Sequence, residues 1–254
     1  MLFRSRSGAC ELKFLIDRAV GTRIADWARA RLAADPHGGG PHGDEYRITS
    51  LYFDTEAHDV LNARGSFGRS KYRVRRYGES NVVFLERKMR RPGLLHKRRT
   101  TTPIEELPQI NRSVARDDDW AGAWFSRRLT ARQLQPTSEL SYVRLARVHA
   151  VNGAVARLTI DDRIHVRPAK ALEFPSGTPT AVLSDHVVLE LKFPGPMPAI
   201  FKALVEEFAL TPTNSSKYRH GMAALGYSPK PPLDDARGAL SEVEGQKPLQ
   251  EKTS

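Results

Sequence analysis

The chain has 254 residues, 40% of them hydrophobic, and a formal net charge of +11. That length suits one generous domain or two small ones, with apolar residues enough for a core. A single cysteine excludes an internal disulfide or a cysteine-rich zinc site, while the positive charge favours an anionic partner: nucleic acid, phosphorylated small molecules, polyphosphate or an acidic membrane surface.

In chain order, the opening "MLFRSRSGACELKF" holds no apolar stretch of signal-peptide length, and no run nears the roughly 18 residues that span a bilayer. A reducing, cytoplasmic setting is the expectation. "ELKFLID" (Glu11–Asp17) alternates as a strand does. Thr22–Asp35 sets Ile24, Trp27, Ala28 and Leu32 at helical spacing, and "PHGGGPHG" ends that helix as a loop. Strands follow at "YRITSLYFDT", Lys71–Tyr77, Val82–Met89 and "LLHKRRTTTPI". Asp117–Leu134 reads as a helix, acidic at its start and basic near its end. "ELSYVRLARVHAV" and "VARLTIDDRIHV" flank an Asn-Gly turn and form a hairpin. "HVVLELKFPG" is a strand halted by Pro194 and Gly195, and two helices follow in "PAIFKALVEEFAL" and "SSKYRHGMAALG". From Ser228 the chain is polar, proline-containing and poor in aromatics, as disordered tails are. Residues 1–227 thus form one domain and 228–254 a tail. About eight strands with a few flanking helices predict an α+β fold built on an antiparallel β-barrel. No glycine-rich phosphate loop of Walker or Rossmann type is present.

Alternate residues of a strand share a face, and here one face of each strand carries full charges. Glu11 and Lys13 oppose Leu12 and Phe14. Arg73 shares a face with Arg75, Glu86 with Lys88, Tyr142 with Arg144, Arg157 with Asp161, and Glu190 with Lys192. Arg76 and Arg87 have the opposite parity and are expected outside. An antiparallel sheet can carry a polar face in water. These faces, however, hold charges rather than serine or threonine, and Glu-x-Lys recurs at Glu11/Lys13, Glu86/Lys88 and Glu190/Lys192. Lining a barrel, such faces would suit a polyanion with metal ions. Arginine forks and lysine point charges grip phosphate, and glutamates supply oxygen ligands for Mg²⁺ or Mn²⁺. A nucleic-acid groove would want exposed aromatics and few carboxylates, so no nucleic-acid partner is expected. The histidines show no zinc-type spacing. Asp54, Asp161 and Asp162 are placed to cap turns. Tyr52 and Phe53 read as core, His220 as a helix-surface histidine, and "KRRTTT" (Lys97–Thr102) as either a basic rim or a solvated strand edge.

These stretches resemble the VTC domain, the polyphosphate polymerase domain of the triphosphate tunnel superfamily, which also contains the CYTH-type triphosphatases. "ELKF", "ITSLYFDT", "KYRVRRYG", "VFLERK", "SYVRLA", "RLTIDD", "LELKF" and "SKYRHGM" occur in family order over roughly Glu11–Leu225. The resemblance implies a triphosphate tunnel fold with a basic lumen. It also implies transfer of the terminal phosphate of a nucleoside triphosphate, ATP above all, to polyphosphate with Mn²⁺ or Mg²⁺. By that resemblance Lys13, Arg73, Arg75, Lys88, Arg144 and Lys192 hold phosphates. Glu190 holds the metal with Glu86 or Glu11, and Lys217, on a helix closing one tunnel end, is catalytic. Two positions depart from the family. Asn214 stands where the fungal polymerase pattern has a second lysine. Ala9 replaces the first glutamate of the CYTH Glu-x-Glu-x-Lys signature. Three activities are therefore expected in turn: a polymerase-like phosphotransferase, a tripolyphosphate or nucleoside triphosphate hydrolase, and a polyphosphate-binding module. A membrane partner receiving the product is a further possibility.

Overall fold

The structure, a computed structural model, describes residues 3–4, 9–91, 94–111, 119–151 and 153–229. The tail expected from Ser228 lies outside these residues from position 230 on. The chain opens with strands β1 (Phe3–Arg4) and β2 (Ala9–Asp17), helix α1 (Arg18–Arg31), the short β3 (Ala33–Ala34) and β4 (Glu45–Asp54). Strands β5 (Ser70–Tyr77), β6 (Val82–Arg91) and β7 (Leu94–Pro103) lead to helix α2 (Ala123–Ala131). The long β8 (Gln135–Val151) and β9 (Ala154–Pro168) precede β10 (Thr180–Ala181), β11 (His186–Pro194), and helices α3 (Ala199–Glu207) and α4 (Lys217–Ala224).

The strands form one antiparallel sheet in the order β1-β2-β11-β9-β8-β4-β5-β6-β7, with β10 and β3 attached to β9 and β8. Its two ends, β1 and β7, lie side by side without a ladder between them. The expected antiparallel sheet thus curls around an interior, and its hydrogen bonding stops short of a full circle among the described residues.

The sheet's outer face is apolar because that is where the helices lie. Leu12, Phe14, Leu158, Leu189, Leu191 and Phe193 pack with Ile24 and Trp27 of α1 and Phe201 and Leu204 of α3. A second core joins Val74, Val83 and Leu85 to Trp124, Phe125 and Leu129 of α2. Helix α1 starts at Arg18, earlier than its periodicity suggests, and α2 spans only Ala123–Ala131. The β8–β9 hairpin turns at Gly153, whose φ of +77° suits the left-handed region. Helix α4 packs against β8 and β9. Its Gly221 sits so close that an added Cβ would lie 3.0 Å from the Leu140 side chain. No helix among the described residues is long and apolar enough to cross a membrane.

Candidate functional site: a charged cavity inside the sheet

Strand alternation that sends leucines and phenylalanines outward sends charges inward. Cross-strand register then sets opposite charges face to face on β2 and β11: Glu190 opposes Lys13, and Lys192 opposes Glu11. Lys13 Nζ lies 3.2 Å from Glu11 and 3.5 Å from Glu190, and Lys192 Nζ lies 3.1 Å from Glu190. On the next pair, Arg144 of β8 opposes Asp161 of β9 and donates to both its oxygens, Nε at 2.6 Å and an Nη at 2.8 Å. Lys217, the first residue of α4, reaches in to Asp161 at 2.5 Å and Glu190 at 3.0 Å. Across the interior, Lys88 of β6 donates to Glu11 at 3.4 Å, although β6 and β2 are far apart in strand order.

The arginine row of β5 closes the ring. Arg75 donates to Ser50 Oγ at 3.2 Å and to the Tyr142 hydroxyl at 3.3 Å. Arg73 donates to Glu86 at 2.7 Å and to the Tyr52 hydroxyl at 3.2 Å. The partly open cavity measures about 380 Å³, and among the described residues ten cationic side chains but two carboxylates, Glu11 and Glu190, line it.

The electrostatics follow from burial set against neighbours. Burial pushes the Glu190 carboxyl up, yet Lys13, Lys217, Lys192 and Arg144 outweigh it and hold the group well below the carboxylate range. Glu11 is likewise opposed by burial, but Lys192, Lys88 and Lys13 bring it down to about 2. Lys217 is raised: Asp161 and Glu190 override the desolvation that would lower it. Lys88 is pushed down to about 8 by burial, which Glu11 only partly offsets against Lys13 and Lys192. Deep in the cavity, carboxylates and ammonium groups therefore hold each other charged.

Of the residues proposed from sequence, Lys13, Arg73, Arg75, Lys88, Arg144, Lys192, Glu11, Glu190 and Lys217 line this one cavity, as does Asn214. Glu86 is not among the lining residues. It is 1% exposed and faces Arg73, Lys97 and Arg99, with Arg75 at 4.0 Å. Lys97 and Arg99 thus turn toward an internal carboxylate, while Arg98, of opposite parity, lies over the Trp124 ring at 4.2 Å.

Asp161 corrects a sequence expectation. It caps no turn but sits within β9, fully buried between Arg144 and Lys217. The consecutive aspartates read as a turn, whereas the shared parity of Arg157 and Asp161 was the signal for a strand. Asp54 does cap: it accepts from the backbone N–H groups of Thr55, Val60 and Leu61 and from the Tyr218 hydroxyl. Tyr52 is buried as expected, but its hydroxyl also edges the cavity. His220 is half-buried, 3.1 Å from Ser215, and does not line the cavity. Sequence reasoning missed Arg69, Lys71 and Arg219, which do line it. Lys71 extends the Arg73/Arg75 parity by one step, which was a readable sign.

The donor set bears on a metal ion. Among the described residues no group of three or more histidine, cysteine or acidic side chains could hold one unaided. Mg²⁺ characteristically binds through one or two carboxylates and takes its remaining ligands from phosphates and water. Glu11 and Glu190 meet that requirement: their oxygens converge on a single cation, the Lys13 ammonium.

Solved structures and a family model resemble the chain. Among solved structures, a candidate adenylate cyclase from Bacillus halodurans is 18% identical, over 81% of this chain and 92% of that one, with a TM-score of 0.47. A Hippeastrum protein, described as a candidate adenylyl cyclase with a dominant triphosphatase activity, is 16% identical over 82% and 92%, TM-score 0.42. A Pyrococcus horikoshii protein is 11% identical over 86% and 99%, TM-score 0.46. No curated protein matches the chain. The family model of the VTC domain matches residues 9–226. The chain belongs to the VTC-domain family.

Proposed function

We propose that this protein is a metal-dependent phosphotransferase that acts on a nucleoside triphosphate and inorganic polyphosphate inside the charged cavity. One observation carries the reading: among the described residues, ten cations against two carboxylates converge on a cavity of about 380 Å³. Such an excess calls for a compact polyanion. Phosphoryl transfer needs little beyond positioning and charge stabilisation, and the cavity is built from groups that do both.

In this reading Arg73, Arg75 and Arg144 grip phosphate oxygens with planar forks, each already oriented by Glu86, Ser50 and Asp161 respectively. Lys13, Lys88 and Lys192 add point charges along the wall. Lys217 donates where negative charge develops on the transferred group. Glu190 and Glu11 would hold Mn²⁺ or Mg²⁺, which supplies further neutralisation of the phosphates. A terminal oxygen of the polyphosphate chain forms the new bond to the γ-phosphorus as the bond to the β-phosphate oxygen breaks and the nucleoside diphosphate leaves. The test is to incubate the protein with ATP and Mn²⁺ and to measure both polyphosphate and released phosphate. Arg75→Ala should lower turnover by about 10²-fold or more. Absence of any turnover in the parent protein would reject the proposal.

Asn214 favours a second reading. It lines the cavity at the position where the polymerase pattern has a lysine. Without that charge, a water molecule rather than a chain end could receive the phosphate, as in a tripolyphosphate or nucleoside triphosphate hydrolase. Phosphate release without chain growth selects this reading.

A further inference from the structure

The outer face of the sheet carries a group of arginines that the cavity does not use. On β6, Arg87 shares the outward parity of Val83 and Leu85, and register sets it directly opposite Arg98 of β7. The Arg98 guanidinium lies 4.2 Å from the centre of the Trp124 ring in α2. That indole is itself fixed, donating to Thr100 Oγ1 at 2.8 Å. Arg127 and Arg128 follow Trp124 at helical i+3 and i+4 spacing, so they lie one turn along the same side of α2.

Arginines elsewhere on the sheet are answered by acids. Arg73 and Arg99 share Glu86, Arg144 faces Asp161, and Arg167 faces Glu139. Arg87, Arg98 and Arg128 touch no carboxylate among the described residues. The charge of Arg98 is disfavoured by desolvation first, and then by Arg87, Arg127 and Arg128 in turn. Arg98 and Arg128 are both exposed. Like charges directly opposite one another cost a sheet stability, so a cluster kept without such acids is suited to acids brought from outside.

We propose that Arg87, Arg98 and Arg128 form a docking surface for an acidic segment, rich in aspartate or glutamate, of a partner protein. Charge complementarity calls for an anion, and composition selects a protein. The basic residues of the cluster are all arginine, whose planar forks pair with carboxylates bidentately. Arginine and tryptophan are enriched where proteins meet, whereas lysine is depleted. A membrane surface is drawn by lysine as well as by arginine. Lys97, beside Arg98 in the chain, turns instead to Glu86 inside the sheet. The surface lies on the opposite side of the sheet from the cavity, so its partner is chosen independently of what the cavity binds.

The test follows the fluorescence anisotropy of a labelled poly-glutamate peptide titrated with the full-length protein and with two variants. Arg87→Gln/Arg128→Gln alters the surface, and Lys170→Gln/Lys202→Gln removes equal charge from exposed positions elsewhere. Peptide affinity should fall about tenfold in the arginine variant and by less than about twofold in the lysine variant. The arginine variant should melt no lower than the parent, because it relieves repulsion around Arg98. Equal losses in the two variants, or no binding by the parent protein, would overturn the docking surface. A lower melting temperature would overturn it too, by showing that acids of this chain already answer the arginines. Phosphatidylserine vesicles form the last arm: if they bind through Arg87 and Arg128 while the peptide does not, the face meets a membrane and the proposal falls.

Discussion

Lys88 is the cavity cation whose charge is least secure. It carries its proton below about 8 and loses it above, because burial, with Lys13 and Lys192, outweighs the support of Glu11 and Glu190. Binding of tripolyphosphate should therefore weaken several-fold between pH 8 and pH 9, while Lys88→Arg, charged throughout, should remove that step. Titration calorimetry across the range checks both. Glu86 makes the opposite case: Arg73, Lys97 and Arg99 surround a carboxylate that is 1% exposed. Glu86→Gln strips those cations of their shared counter-charge and should destabilise the fold by about 3–5 kcal/mol, measured by denaturant unfolding. If the proposed Mn²⁺-dependent activity holds, the Mn²⁺ concentration for half-maximal turnover should not move on this substitution, since Glu86 serves the arginines rather than the metal.

At the scale of elements, α4 is the part that turns a curled sheet into a site. Its Tyr218 donates to Asp54 at 2.7 Å and stacks on Tyr52 with ring centroids 5.2 Å apart. Thr213, just before the helix, donates its backbone N–H to the Lys13 carbonyl at 2.7 Å. These contacts fix where Lys217 enters. Tyr218→Phe should cost about 1–3 kcal/mol, because Asp54 keeps its three backbone donors but loses the hydroxyl. The loss in kcat/KM should exceed what the melting temperature alone suggests, since Lys217 is then held less firmly. Elements were legible in the sequence to the extent that their periodicity was local. The charged parity of β2, β5, β6, β8 and β11 identified the inward faces, because full charges leave no other consistent side. Arg69 and Arg219 were invisible to that reasoning, since neither sits on a strand. Asp161 was misread because a pair of aspartates looks the same in a turn and in a strand until its partner, Arg144, is known.

For the whole molecule, the interior of the sheet is ionic where most proteins are apolar, and stability should follow pH accordingly. Glu11, Glu190, Asp161 and Glu86 all have carboxyls held below their ordinary range. Groups of that kind stabilise the fold above their unfolded pKa, 4.5 for the glutamates and 3.8 for Asp161, and lose that contribution as pH falls through the folded value. The melting temperature should thus drop from about pH 4.5 downward, with the Glu11 share gone near pH 2. Tripolyphosphate should offset part of the drop by replacing the lost negative charge. What the sequence could not convey is how the two ends of the sheet meet, since β1 and β7 approach without a ladder among the described residues and no pattern records it.

The cation that touches both Asp161 and Glu190 belongs to the last helix of the described chain. Among the described residues every strand precedes it in the chain. Until that segment docks, the two acids lack one of their cations, so the site is completed only after α4 has been made.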